Sequence, residues 1–171
     1  MHRASIVVLL LFVAAAFPSG SDAAAFRVVV VPALEEADLR AIADRGAVGL
    51  LVPDAGPETS AARARAALER GVVRNSLLGG QPGGDPLIEV ESAAVIPAGN
   101  AIVVGLPVGG TQANDRRYPI AVLGGGYRGV LTSQSTRIAG LVSVVDVAPT
   151  ARGEEDALGW RPVDDPLAEL A

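Results

Sequence analysis

The 171-residue chain has no cysteine and no lysine, and its single histidine is His2. Without cysteine there are no disulfides, thiolate metal sites, cysteine nucleophiles or lipid anchors on an N-terminal cysteine. Without lysine, arginine is the only basic side chain besides His2. With a formal net charge of −5, the chain is not expected to bind nucleic acid. Half of the residues are apolar, which at this length suffices for one real core, so a single domain is expected.

The N-terminus reads as a targeting signal. His2 and Arg3 form a short positive end, Ile6 to Phe17 is an uninterrupted apolar run, and Pro18 to Ala25 adds a helix breaker and small residues. Ala23-Ala24-Ala25 and Ser21-Asp22-Ala23 both fit an A-x-A-like cleavage rule. The apolar run is well short of the roughly 20 residues that cross a bilayer, which favours a cleaved signal peptide over residues 1–25. No later segment reads as a span, so the mature chain is expected outside the cytoplasm, secreted or in the cell envelope.

Folding is expected to begin at Phe26. Phe26 to Val31 is a β-branched run with the two-sided apolarity of a strand buried in a parallel sheet, and Pro32 ends it. Leu34 to Arg45 places Leu39, Ile42 and Ala43 on one helical face, with Glu35 and Glu36 early and Arg45 late, and Gly46 stands where a left-handed cap is wanted. Val48 to Val52 is the next strand, and Pro57 to Arg70 a second helix capped by Gly71. Strand, helix, strand, helix at this spacing predicts parallel strands joined by right-handed crossovers. Pro86 to Ile96, with Leu87, Glu89 and Glu91 alternating against Ile88 and Val90, reads as an exposed edge strand. Ala101 to Val104 is a further strand. Ile120 to Leu123 is an apolar strand that runs into Gly124-Gly125-Gly126. A polar loop follows to Arg137, then a strand from Leu141 to Val147 that closes in Asp146-Val147-Ala148-Pro149-Thr150. The acidic tail, 151–171, reads as a loop and a short helix.

The segment from Tyr118 to Thr150 resembles the late core of the alkaline phosphatase superfamily, in which a strand enters a glycine-rich turn and a later strand ends in Asp-x-x-Pro-Thr. Leu39 to Gly46 is similar to that superfamily's "Leu-x-x-Leu-Ala-x-x-Gly" helix, and Arg65 to Gly71 to its "Arg-Ala-x-Leu-x-x-Gly" segment. The pieces occur in order between Phe26 and Thr150. The resemblance implies an α/β fold, a mostly parallel sheet sandwiched between helices over residues 26–150. It also implies that the chain is either a reduced form or the front part of a longer gene product.

The same resemblance says where catalytic groups belong. Enzymes of the superfamily hold divalent metal with a strand-end Asp and later His and Asp residues. Here the first strand ends in Pro32-Ala33, and the nucleophile position, counted back from Arg65, is Ala61. Leu106 and Pro107 stand where an Asp-His pair is expected. No metal or other cofactor is therefore expected, and the chain reads as a pseudoenzyme.

Residues that offer chemistry each have two readings. Thr59 and Ser60 are a hydroxyl nucleophile beside the anion-binding Arg65, or they cap a helix while Arg65 is solvated. Asn114, Asp115 and Arg116 form the densest polar cluster, either ligand contacts or an ordinary solvated loop. Asp146 is either part of a carboxylate site or a strand-to-helix cap. The expected role is a structural, interaction or ligand-binding module of the envelope, with an envelope protein or small ligand as partner. The alternative is a hydrolase of phosphate or sulfate esters with a site that lacks histidine.

Overall fold

The computed structural model describes residues 25–53, 58–73, 85–106, 109, 111–113, 117–154 and 157–171. The expected signal peptide thus lies outside the described residues except for Ala25.

The valine run forms β1, Arg27–Val31, with Val28 and Val29 buried on opposite sides as a two-sided strand requires. Helix α1, Glu36–Ala43, starts with the Glu35 backbone N–H donating to Asp38 Oδ2 at 3.0 Å and buries Leu39 and Ile42. Its C-cap is Asp44, which corrects the expectation for Gly46: that glycine is the first residue of β2, Gly46–Val52. It is small because a Cβ there would collide with the Val122 carbonyl, a close approach between strands rather than a left-handed turn. A short strand β3, Glu58–Ser60, stands where the second helix was expected to begin, and α2 runs Ala61–Arg70. Ser60 Oγ accepts from the Arg63 N–H at 3.1 Å, and Gly71 closes the helix at φ 60°, as its position predicts.

The remaining elements are β4, Val90–Ser92; β5, Ala101–Gly105; β6, Thr111–Ala113; β7, Tyr118–Leu123; β8, Gly129–Ser133; β9, Leu141–Ser143; α3, Val147–Ala151; and β10, Leu158–Arg161. Among the described residues eight strands form one sheet in the order β10-β8-β2-β7-β5-β1-β4, with β9 also on β2. Strands β3 and β6 make a separate antiparallel pair.

The chain is α/β with a mixed sheet: six of the eight strands in the main sheet share one direction, and β7 and β10 run against them. Strand β7 inserts between β5 and β2 and runs antiparallel to both, and β10 is antiparallel to β8. The β1·β4, β1·β5, β2·β8 and β2·β9 pairings are parallel. Strands β1 and β2 point the same way, as strand-helix-strand spacing predicts, yet β5 and β7 separate them. The polar loop expected before Arg137 contains β8, whose Val130 and Leu131 are fully buried. The strand expected over Leu141 to Val147 stops at Ser143 and turns through a 3-10 segment, Val144–Asp146, into α3. Packing explains the turn: Val144 and Val147 bury beside Leu68 of α2 in a shared core cluster. Only β4 forms within the strand expected over Pro86 to Ile96, and it does lie at the sheet edge. The tail adds β10, unforeseen, before a 3-10 turn at Ala168–Leu170.

The core lies on both faces of the sheet. Val28, Ile102, Ile120 and Val122 pack with α2 and α3, while Val29, Val103, Ala121 and Leu123 pack with α1 and with Leu167 and Leu170 of the tail. Side chains occupy both sheet edges. On β4 the Arg65 guanidinium donates from Nη2 to the Val90 carbonyl and from Nη1 to Ser92 Oγ at 2.6 Å. On β10 the Leu158 N–H donates to Thr150 Oγ1 at 3.0 Å, and its carbonyl accepts from Tyr127 at 2.8 Å. Occupied edge groups cannot template pairing with another chain. No helix among the described residues is long and apolar enough to cross a membrane.

Candidate ligand cleft at the carboxyl ends of the strands

The pairings give β1, β2, β4, β5, β8 and β9 a common direction, so their carboxyl ends share one edge of the sheet. Open α/β sheets place ligands at that edge. A cleft of about 290 Å³ lies there, at the end of β1. Val30 and Pro32 form one wall, Leu106 beyond β5 and Ala93 beyond β4 add apolar surface, and Ala61, Ala62 and Arg65 close it from the first turns of α2. Ser92 and Arg65 contribute the polar side chains. The sheet brings Pro32 and Ala61 into the same cleft although they are far apart in sequence.

Arg65 is strongly committed. Besides Val90 and Ser92, its Nε donates to Glu69 Oε1 at 3.0 Å, an ion pair one turn along α2. It therefore joins α2 to the β4 edge while facing the cleft. Ser60 holds the helix cap through its Oγ. Thr59 is 1% exposed, and its hydroxyl has no hydrogen-bond partner among the described residues. Neither residue lines the cleft.

Asp146 also lies outside the cleft lining, in a hydroxyl network past β8 and β9. Its buried carboxylate accepts from Ser133 Oγ, from the Ser135 N–H at 3.2 Å and from Ser135 Oγ at 2.8 Å. Thr150 Oγ1 donates to the Asp146 backbone carbonyl at 2.8 Å. The arrangement satisfies a buried charge and ties the ends of β8 and β9 to α3. Asn114, Asp115 and Arg116 lie outside the described residues. Among the described residues no three His, Cys, Asp or Glu side chains are grouped to hold a metal ion.

The glycine-rich turn belongs to the opposite end of the sheet. Because β7 runs against β5, Leu123 pairs with Ala101 at the start of β5. Gly124, Gly125 and Gly126 all have positive φ, at 78°, 58° and 81°, and Phe26 Cζ would lie 2.5 Å from a Cβ on Gly125. The turn is thus distant from the cleft and covered by the start of β1. Sequence reasoning did not single out Ser92, Tyr127, Ser133 or Ser135. Ser92 lay inside the stretch read as an edge strand, and the dense hydroxyls of 132–136 were the available signal for the other serines.

Fold and cleft define an α/β domain with a small, mainly apolar site at the carboxyl ends of its strands. The chain matches no protein-family model, no curated protein sequence and no solved structure.

Proposed function

We propose that this chain is an extracytoplasmic, non-catalytic domain of alkaline phosphatase-like descent that serves the cell envelope as a ligand-binding module. The observation that supports this reading is the meeting of Pro32 and Ala61 in one cleft. By the sequence resemblance these are the positions of a metal ligand and a nucleophile. Here both are apolar and the space between them is open, so the site retains a place for a ligand without the groups that would turn one over. The amino-terminal signal accounts for the location, and the cleft favours binding over a purely structural role.

Three measurements on the purified mature chain test the proposal. After equilibration with zinc, manganese and calcium, elemental analysis is expected to find no stoichiometric metal, and p-nitrophenyl phosphate and p-nitrophenyl sulfate are expected to remain intact. A fragment screen by ligand-observed NMR is expected to yield binders that disappear in Ala62→Leu, which fills the cleft from an exposed helix position. Turnover lost in Thr59→Ala or Ser60→Ala would make the chain a hydrolase instead. A screen with no Ala62→Leu-sensitive binder would remove the ligand-binding role.

A further inference from the structure

We propose that the cleft takes a small uncharged molecule, an apolar ring or short chain carrying a carbonyl-type acceptor such as an amide or ester, in preference to an anion. The inference rests on the ligand-binding reading above and specifies its ligand class.

The apolar body follows from the walls. Val30, Pro32, Ala61, Ala93 and Leu106 present hydrocarbon, and the volume of about 290 Å³ is at the small end of the roughly 300–1,000 Å³ of small-molecule sites. The head group follows from Arg65. A guanidinium has five N–H donors. Nε is spent on Glu69, one N–H of Nη1 on Ser92 and one of Nη2 on the Val90 carbonyl. One N–H on each of Nη1 and Nη2 is left without an acceptor among the described residues. Donors are therefore available at the cleft wall.

Charge is much less available. Arg65 and Glu69 are paired at 3.0 Å, with side chains only 34% and 27% exposed. An incoming carboxylate or phosphate would converge on the same cation as Glu69, and the two like charges would repel in a partly desolvated setting. An amide or ester oxygen accepts from the spare donors without that repulsion and brings a smaller desolvation cost.

Benzamide, benzoate and phenyl phosphate share one ring and differ in head group, so calorimetric titration of the full chain with all three isolates the choice. Benzamide is expected to bind about tenfold or more tighter than either anion, with little response to added salt. Ala62→Leu is expected to remove its binding. Glu69→Gln leaves the Arg65 charge unpaired and is expected to strengthen benzoate binding about fivefold or more, while benzamide shifts less than about twofold. Tighter binding of benzoate or phenyl phosphate, lost in Ala62→Leu, overturns the uncharged-ligand inference and leaves the ligand-binding reading in place. Failure of all three to bind also overturns it, and the broader reading then falls only if the fragment screen is empty as well. Benzamide binding that survives Ala62→Leu places the site elsewhere and overturns the inference.

Discussion

The Tyr127 hydroxyl donates to the Leu158 carbonyl across 2.8 Å, joining the turn after β7 to the edge strand β10. The same ring meets Phe26 edge-on, with centroids 5.7 Å apart and planes at 89°. One side chain thus connects the start of β1, the glycine-rich turn and the last strand.

Tyr127→Phe keeps the ring contact and leaves the Leu158 carbonyl without its donor, a loss of about 1–2 kcal/mol expected in urea unfolding at pH 8. Burial raises the Tyr127 pKa above its ordinary value of 10.0. The folded state then holds the proton more tightly than the unfolded state. The stabilisation is complete below pH about 10 and is lost as pH rises through the raised folded value. The chain has no lysine or cysteine to add a competing titration in that range. The fall in stability between about pH 9 and 11 should therefore be shallower in Tyr127→Phe than in the parent chain. Equal slopes would show that Tyr127 carries no linkage.

Adjacent residues at the start of α2 should respond with opposite signs. Ser60→Ala removes the cap on the Arg63 N–H and is expected to cost about 1 kcal/mol. Thr59→Val replaces a buried hydroxyl that has no partner among the described residues with a methyl group of similar shape, so stability should be unchanged or higher by up to about 1–2 kcal/mol. Chemical denaturation of the two variants settles the signs, and a destabilised Thr59→Val would mean that the hydroxyl has work to do.

Asp146→Asn tests the hydroxyl network. The carboxylate is acceptor-only toward Ser133 and Ser135, whereas an amide must present N–H to one of those donors. A loss of about 1–3 kcal/mol is expected, with faster hydrogen exchange at the Ser135 amide. An unchanged melting temperature would contradict that role.

Gly124→Ala should destabilise the fold, because it carries two penalties. Its φ of 78° costs an L-residue about 1–2 kcal/mol, and the new Cβ would meet the Asn100 side chain. Asn100→Ala made together with Gly124→Ala should recover the steric part and leave the backbone part, measurable as a double-mutant cycle.

Local features were readable without coordinates. The two-sided valine run of β1, the apolar face and acidic start of α1, and Gly71 after α2 all follow from nearest-neighbour chemistry: periodicity, caps and the left-handed freedom of glycine. Apolar strands at Ala101 to Val104 and Ile120 to Leu123 were equally plain. Strand direction and order were not, because an all-apolar strand fits parallel and antiparallel neighbours alike and the choice is made by residues far away in sequence. That is how β7 came to run against β5 and β2, and why Gly46 answers to Val122 rather than to α1. The candidate site divides the same way. Composition alone removes thiolate chemistry and leaves His2 as the only histidine, whatever the fold. Tertiary structure alone puts Pro32 and Ala61 in the lining of one cleft, spends most of Arg65 on Glu69 and the β4 edge, and sends Asp146 to a network outside the cleft lining, since side chains meet only once the sheet order is set.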